Sequence, residues 1–331
     1  MQPGSRNLIT DVPGILIGNA QDSTLKSGCT VLLSDTQLTA GVAIMGGAPG
    51  TRETDLLNPD KTVTLINGLV LSGGSAFGLD SASGVTTYCR ENNKGFAVGK
   101  SIVPIVPGAI LFDLSSGGNH QWTKNPYSDL GYLAANKASR DFNLGSYGAG
   151  TGATTANLKG GLGSTSLELP NGVIIGAIVA VNPVGSVVVG ESSKFWAAPF
   201  EMLKEFGGQG IETNFDPSKL IITKASPGSA TTIGIIATNV KLDKAGSTRM
   251  ATAAHDGFAR AIYPSHTPMD GDLIFGVSTG QREMKNPALD SIQLGNAGAI
   301  CMARAIARAV FEAQSAVGDT HPTWKKKHKF E

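Results

Sequence analysis

Charge is scarce in this chain and evenly balanced. Only 16% of its 331 residues are charged, with 27 Lys+Arg against 26 Asp+Glu and a net charge of +1. Without an excess of one sign, nothing points to nucleic acid or an anionic membrane as a partner. Cysteine is scarcer: Cys29, Cys89 and Cys301 are scattered, with no framework spacing. They are expected to be small core residues in a reducing compartment, not a disulfide framework or a zinc site. His120, His266, His321 and His328 show no ligand spacing either, so no metal and no cofactor is expected. No apolar run reaches about 18 residues, so no segment is expected to cross a membrane. The first ten residues lack the basic start and apolar core of a signal peptide, which makes the cytoplasm the expected location.

Glycine, by contrast, is abundant. Its 43 occurrences exceed the usual share of about 7% and imply many tight turns and close backbone approaches, as in a layered α/β fold. Apolar runs predict strands or buried segments over 29–34, 39–45, 69–72, 109–114, 173–181, 231–238 and 273–277. Helices are expected over 81–91, 243–262 and 296–314, the second with Met250, Ala254 and Phe258 on one face. Two glycine loops could suggest phosphate binding. Gly73-Gly74-Ser75-Ala76-Phe77 lacks the second glycine of a nucleophile elbow, and no strand precedes Gly148-Ala149-Gly150-Thr151-Gly152. Nucleotide binding is rejected on both counts, although the first loop could line an active site. The basic run Lys325-Lys326-Lys327-His328-Lys329 reads as a solvated tail.

The most informative stretch runs from Ser226 to Asn239. Pro227 and Gly228 are turn residues, whereas 231–238 is a β-branched apolar run. Thr231 therefore stands where a loop becomes a buried strand. It has two readings: a β-favouring residue that opens a strand, or a nucleophile that becomes an N-terminus once the chain is cut before it. In the second, the freed α-amine is the base for its own hydroxyl, and no histidine is required.

Four other segments carry a bland and a functional reading side by side. Lys159, in Asn157-Leu158-Lys159-Gly160-Gly161, is a solvated loop residue or a charge near a site. Asn182, in Asn182-Pro183-Val184-Gly185 at a strand end, is a turn residue or a hydrogen-bond donor. Asp270 and Asp272, around Gly271, are a turn or a pair of functional carboxylates. The loop 46–54, with Arg52 and Glu53, is a solvated turn or the lip of a substrate pocket.

Thr231-Thr232-Ile233-Gly234-Ile235-Ile236-Ala237-Thr238-Asn239, Ala254-His255-Asp256-Gly257-Phe258-Ala259-Arg260-Ala261-Ile262 and Met269-Asp270-Gly271-Asp272 closely resemble one family. It is the DmpA / β-peptidyl aminopeptidase / NylC (nylon-oligomer hydrolase) family of self-cleaving N-terminal-nucleophile hydrolases. The resemblance extends from Ile9 to about Gln314. It implies one α/β domain, residues 1–331, folded as a four-layer αββα sandwich. That domain would be cut into 1–230 and 231–331, with the two fragments staying together, and would assemble into a homo-oligomer of tetramer size or larger. It implies acyl transfer from a small amide or peptide substrate. Thr231 would attack, Asn182 would stabilise the oxyanion, Asp270 and Asp272 would hold the amine, and Lys159 would keep that amine basic.

Three departures keep alternatives open. Ala230 stands where relatives have asparagine or glycine, which raises the prospect of slow processing. Ser229 superficially matches the serine-type junction, but it stands eight residues before Ala237 where six are wanted. Phe112 occupies the place of an expected tyrosine and cannot donate a hydrogen bond. An acyltransferase of the ornithine acetyltransferase type, or an uncleaved homologue that binds small amides, would use the same residues differently.

Overall fold

The computed structural model describes residues 1–219, 221–224 and 230–330. Pro227, Gly228 and the alternative junction at Ser229 lie outside the described residues.

Two sheets share one long strand. In the first half of the chain come β1 (Ile15–Asp22), β2 (Ser27–Ile44), β3 (Thr51–Arg52), β4 (Ile66–Ser72) and α1 (Ser81–Glu91). A small hairpin of β5 (Phe96–Val98) and β6 (Ser101–Val103) leads to β7 (Gly108–Ile110) and α2 (Tyr127–Asn136). The second half supplies β8 (Gly161–Glu168), β9 (Ile174–Val181), β10 (Ile233–Val240), α3 (Lys244–Ala254) and α4 (Asp256–Ala259). Last come β11 (Leu273–Arg282), α5 (Pro287–Phe311) and α6 (Trp324–His328).

Strand order is β3-β7-β4-β2-β11-β10-β9-β8, with β1 also paired to β2. The N-terminal part of β2 pairs with β1 and β4, and its C-terminal part, Thr39 to Ile44, pairs with β11. The register shift between Leu33 and Leu38 lets one strand pass from one sheet into the other. This joins into one strand the two runs expected at 29–34 and 39–45. Most neighbours are antiparallel, but β10 and β11 run parallel, and so do β4 and β7.

The hydrophobic clusters give the layers. Residues from both sheets, among them Leu32, Leu69, Ile178, Ile235 and Phe275, form one core between the sheets. Cys29, Val70, Val85, Tyr127 and Ala134 pack α1 and α2 on one outer face. Met250, Ala303, Ile306 and Val310 pack α3 and α5 on the other. The result is a four-layer αββα sandwich.

The helices differ from the sequence reading at their ends. The stretch 243–262 divides at His255, which is buried with Nε2 3.0 Å from the Ala43 carbonyl oxygen. Burial pushes its pKa down to about 4. The last long helix begins at Pro287, capped by the Asn286 side chain accepting from Leu289 N at 3.2 Å. By length and apolar content α5 could cross a membrane, yet 72% of its most apolar window is buried against the sheet and α3. The basic C-terminal run is helical, not a loose tail. Trp324 is fully buried there, with Phe195, Phe311 and Phe330 around it.

Candidate active site

The parallel pair β10–β11 brings two loops together at its N-terminal end. Ala230 and Thr231 enter β10, and Asp270-Gly271-Asp272 enter β11, with Ala230 bridged to Asp270. The C-terminal end of β9 arrives antiparallel beside them and delivers Asn182. Three strand ends thus place three separate sequence segments at one point.

Thr231 is buried, with its amide N–H donating to the Asn182 carbonyl oxygen at 2.8 Å. Its Oγ1 donates to the carbonyl oxygen of Ala230, the residue before it. The Gly271 N–H points at both oxygens, 3.2 Å from Thr231 Oγ1 and 3.3 Å from Ala230 O. Glycine is required here because a β-carbon would lie 2.6 Å from Thr231 Oγ1 and 2.7 Å from Ala48 O. One backbone donor therefore faces a hydroxyl and the carbonyl that the hydroxyl touches.

The carboxylates of Asp270 and Asp272 are fully buried and flank this pair. Asp272 Oδ1 accepts from Thr232 N at 2.8 Å. Its Oδ2 accepts from His266 N at 3.0 Å and meets His266 Nδ1 at 2.9 Å. Asp270 Oδ1 accepts from Val184 N at 2.9 Å, and its Oδ2 from the Thr267 amide and hydroxyl at 3.1 and 2.5 Å. Burial, and then the neighbouring Asp272 charge, raises the Asp270 pKa. Both acids thus hold backbone and loop groups around Thr231, whose own nitrogen is bonded to the Asn182 carbonyl oxygen.

The Asn182 side chain is oriented from two sides. Its Nδ2 donates to the Phe112 carbonyl oxygen at 2.9 Å, and its Oδ1 accepts from Thr154 N at 2.9 Å. Phe112 thus contributes its backbone where the tyrosine hydroxyl was expected. Lys159 lies one step further out. It is buried and bonded to Asp319 Oδ2 at 2.7 Å, an acid shared with Lys26 at 2.9 Å. It reaches the site through Thr154, its bridge partner.

The loop 46–54 packs on the acid loop. Met45 N and Gly46 N donate to Asp272 O, and Ala48 N donates to Asp270 O at 2.8 Å. Arg52 turns away to Ser83 Oγ at 2.7 Å. The first glycine loop does cradle an anion, but one of the chain's own: Gly74 N donates to Asp113 Oδ1 at 2.7 Å. Burial pushes the Asp113 pKa up to about 6.

Three residues at or near this centre escaped the sequence reading. Lys224 Nζ donates to both oxygens of Asn182, at 3.1 Å to the carbonyl and 2.8 Å to Oδ1. His266 reaches Asp272 and stacks on Phe258 at 5.4 Å. Asp113 follows Phe112 and faces Lys224. None carries a motif or a periodic position, and only the nearness of His266 to Asp272 in sequence could have flagged it. Beyond Val184, a cavity of about 520 Å³ opens beside Ser186, with Trp196, Phe215, Ile222, Tyr263 and Glu212 among its walls.

The chain matches peptidase family S58 over residues 7–323. It is 40% identical to an uncharacterised aminopeptidase of Mycobacterium tuberculosis, over 94% of this chain and 96% of that one. A 6-aminohexanoate-oligomer endohydrolase of Kocuria sp. is 26% identical over 85% of this chain and 77% of its own length. Among solved structures, a Burkholderia sp. β-aminopeptidase superposes with a TM-score of 0.71 at 20% identity, covering 99% of this chain and 93% of that one. The L-aminopeptidase D-Ala-esterase/amidase of Ochrobactrum anthropi, a variant of the Ntn hydrolase fold, gives 0.67 at 18% identity, covering 97% and 90%. The αββα sandwich is thus the Ntn-hydrolase fold of these aminopeptidases, and the chain belongs to peptidase family S58.

Proposed function

We propose that the chain cuts itself between Ala230 and Thr231, and that the freed Thr231 is the nucleophile of an amide and peptide hydrolase. The observation that carries this reading is the contact of Thr231 Oγ1 with the Ala230 carbonyl under the Gly271 N–H. In self-cleavage Oγ attacks the Ala230 carbonyl carbon, and Gly271 N–H stabilises the oxygen as it gains charge. The C–N bond breaks as the Oγ proton passes to the Thr231 nitrogen, which leaves as an amine, and water hydrolyses the resulting ester.

In the cut enzyme the Thr231 amine takes the Oγ proton as Oγ attacks a substrate amide. The leaving amine then receives that proton, and water releases the acyl group from Oγ. Asn182 supplies a side-chain N–H to the oxyanion; its amide carries two, and the bond to Phe112 O fixes its plane. Asp270 and Asp272 set the loop that faces the amine. The two fragments stay associated, since β10 and β11 of the second pair with β9 and β2 of the first. The family assignment and the named activities of the relatives support an amide substrate, and the cavity beyond Val184 offers room for an extended one.

Hydrolysis of a panel of chromogenic amino-acid and 6-aminohexanoyl amides tests this. Wild type should turn over at least one of them, and Thr231→Ala should lose about 10⁴-fold or more of that rate. Retained turnover in Thr231→Ala would remove the nucleophile from this reading.

A further inference from the structure

Seven residues before the proposed cut (231 − 224 = 7), a lysine reaches into the reacting centre. Lys224 is held by its backbone N–H, which donates to Val184 O at 3.0 Å. Its amino group then donates to Asn182 O at 3.1 Å and Asn182 Oδ1 at 2.8 Å. The first of these oxygens is the one that accepts the Thr231 N–H at 2.8 Å. Two nitrogens, one ammonium and one destined to become an amine, therefore meet at a single carbonyl.

We propose that Lys224 is the positioning residue of this centre, locking the Asn182 side-chain amide and opposing protonation of the freed Thr231 amine. The inference rests on the cut at Ala230–Thr231 proposed above. Nitrogens bonded to one oxygen are close enough for strong charge coupling in a buried site. A cation there disfavours a second one, which keeps the Thr231 amine in its basic form. Lys159 does not meet this geometry, because Asp319 compensates its charge at 2.7 Å. Among the described residues, the charged or titratable groups facing Lys224 are Asp270, Asp113 and His321. Although the residue as a whole is half-buried, burial of its amino end pushes its pKa down to about 7, against the pull of Asp270 and Asp113. Its charge is thus switchable near neutral pH, the range in which an α-amine also titrates.

This role also makes the segment before the cut part of the finished site. The fragment ending at Ala230 contributes Lys224, Asn182 and the Phe112 carbonyl, and the other contributes Thr231 and the acid loop.

The test is the pH dependence of kcat/KM for wild type, Lys224→Met and Lys224→Arg, each first checked by intact mass for the cut. Activity rises with pH as the Thr231 amine loses its proton. In Lys224→Met that limb should move up by about one pH unit, and in Lys224→Arg, whose charge is permanent, it should not move up. An unmoved limb in a cut, folded Lys224→Met protein overturns the role while leaving the nucleophile assignment intact. An uncut wild type overturns the nucleophile assignment and this inference with it. If Lys224→Met does not fold, NMR titration of wild type labelled at lysine 13Cε decides. A Lys224 midpoint near 7 that moves in Thr231→Ala supports the role. A Lys224 midpoint unmoved in Thr231→Ala overturns it.

Discussion

Lys159 and Lys224 both lead to Asn182, one through a backbone link and the other by direct contact. Lys159 ends on a carboxylate, Asp319, that a second lysine also holds. Its link to Asn182 runs through the backbone of Thr154. Lys224 ends on the two oxygens of Asn182 itself, one of which also binds Thr231. A cation closed by an anion fixes geometry, whereas a cation resting on carbonyl oxygens keeps a charge that its surroundings can switch. A lysine beside Gly-Gly therefore marks the neighbourhood, and the lysine with no motif touches the centre.

The contrast breaks first at the asparagine that both lysines serve. Asn182→Ala should lower kcat by roughly 10²-fold with little change in KM, since the contact strengthens only in the transition state. An unchanged kcat in a folded, cut variant would make Asn182 a turn residue and leave Lys224 nothing to position.

Next in size is the scaffold lysine. Lys159→Met should cost about 2 kcal/mol in denaturant unfolding, because Asp319 keeps Lys26 but loses its second cation. Its kcat/KM limb should stay in place. Although burial opposes it, the bond from Lys159, with help from Ala316 N and Lys26, holds Asp319 below the usual carboxylate range. A depressed folded pKa gives stability that is present above about pH 4 and is lost as pH falls through the folded value. The wild-type advantage over Lys159→Met should therefore shrink in acid. A limb shift as large as that of Lys224→Met would erase the distinction between the two lysines.

The smallest expected effect has the opposite sign to that of Lys224→Met. Asp270→Asn removes a buried anion beside the Thr231 amine, so its protonated form loses support and the rising limb should move down by roughly half a pH unit. A pH–rate profile superimposable on wild type would reduce the acid pair to loop structure.

Much of this arrangement was legible in the chain because it is local. The β-branched run after Thr231, the Asn182-Pro183 strand end and the acid pair before β11 each announce a strand boundary. What escaped is non-local. Lys224, in an unpatterned segment, gains its meaning only by pairing with Val184. Asp113 gains its meaning by binding Gly74 from 39 residues away. The two halves of β2 looked separate because the polar break near Asp35 is where the strand changes sheets. The short helix under the basic C-terminal run escaped because periodicity does not show that Trp324 anchors it among three phenylalanines.

Intact-mass spectrometry with N-terminal sequencing of the purified protein decides whether the chain is cut before Thr231. Wild type should give two fragments, the smaller beginning Thr231-Thr232-Ile233-Gly234, and Thr231→Ala a single full-length chain. A wild-type chain that stays whole, or a smaller fragment beginning at Ser229 or Thr232, would contradict it.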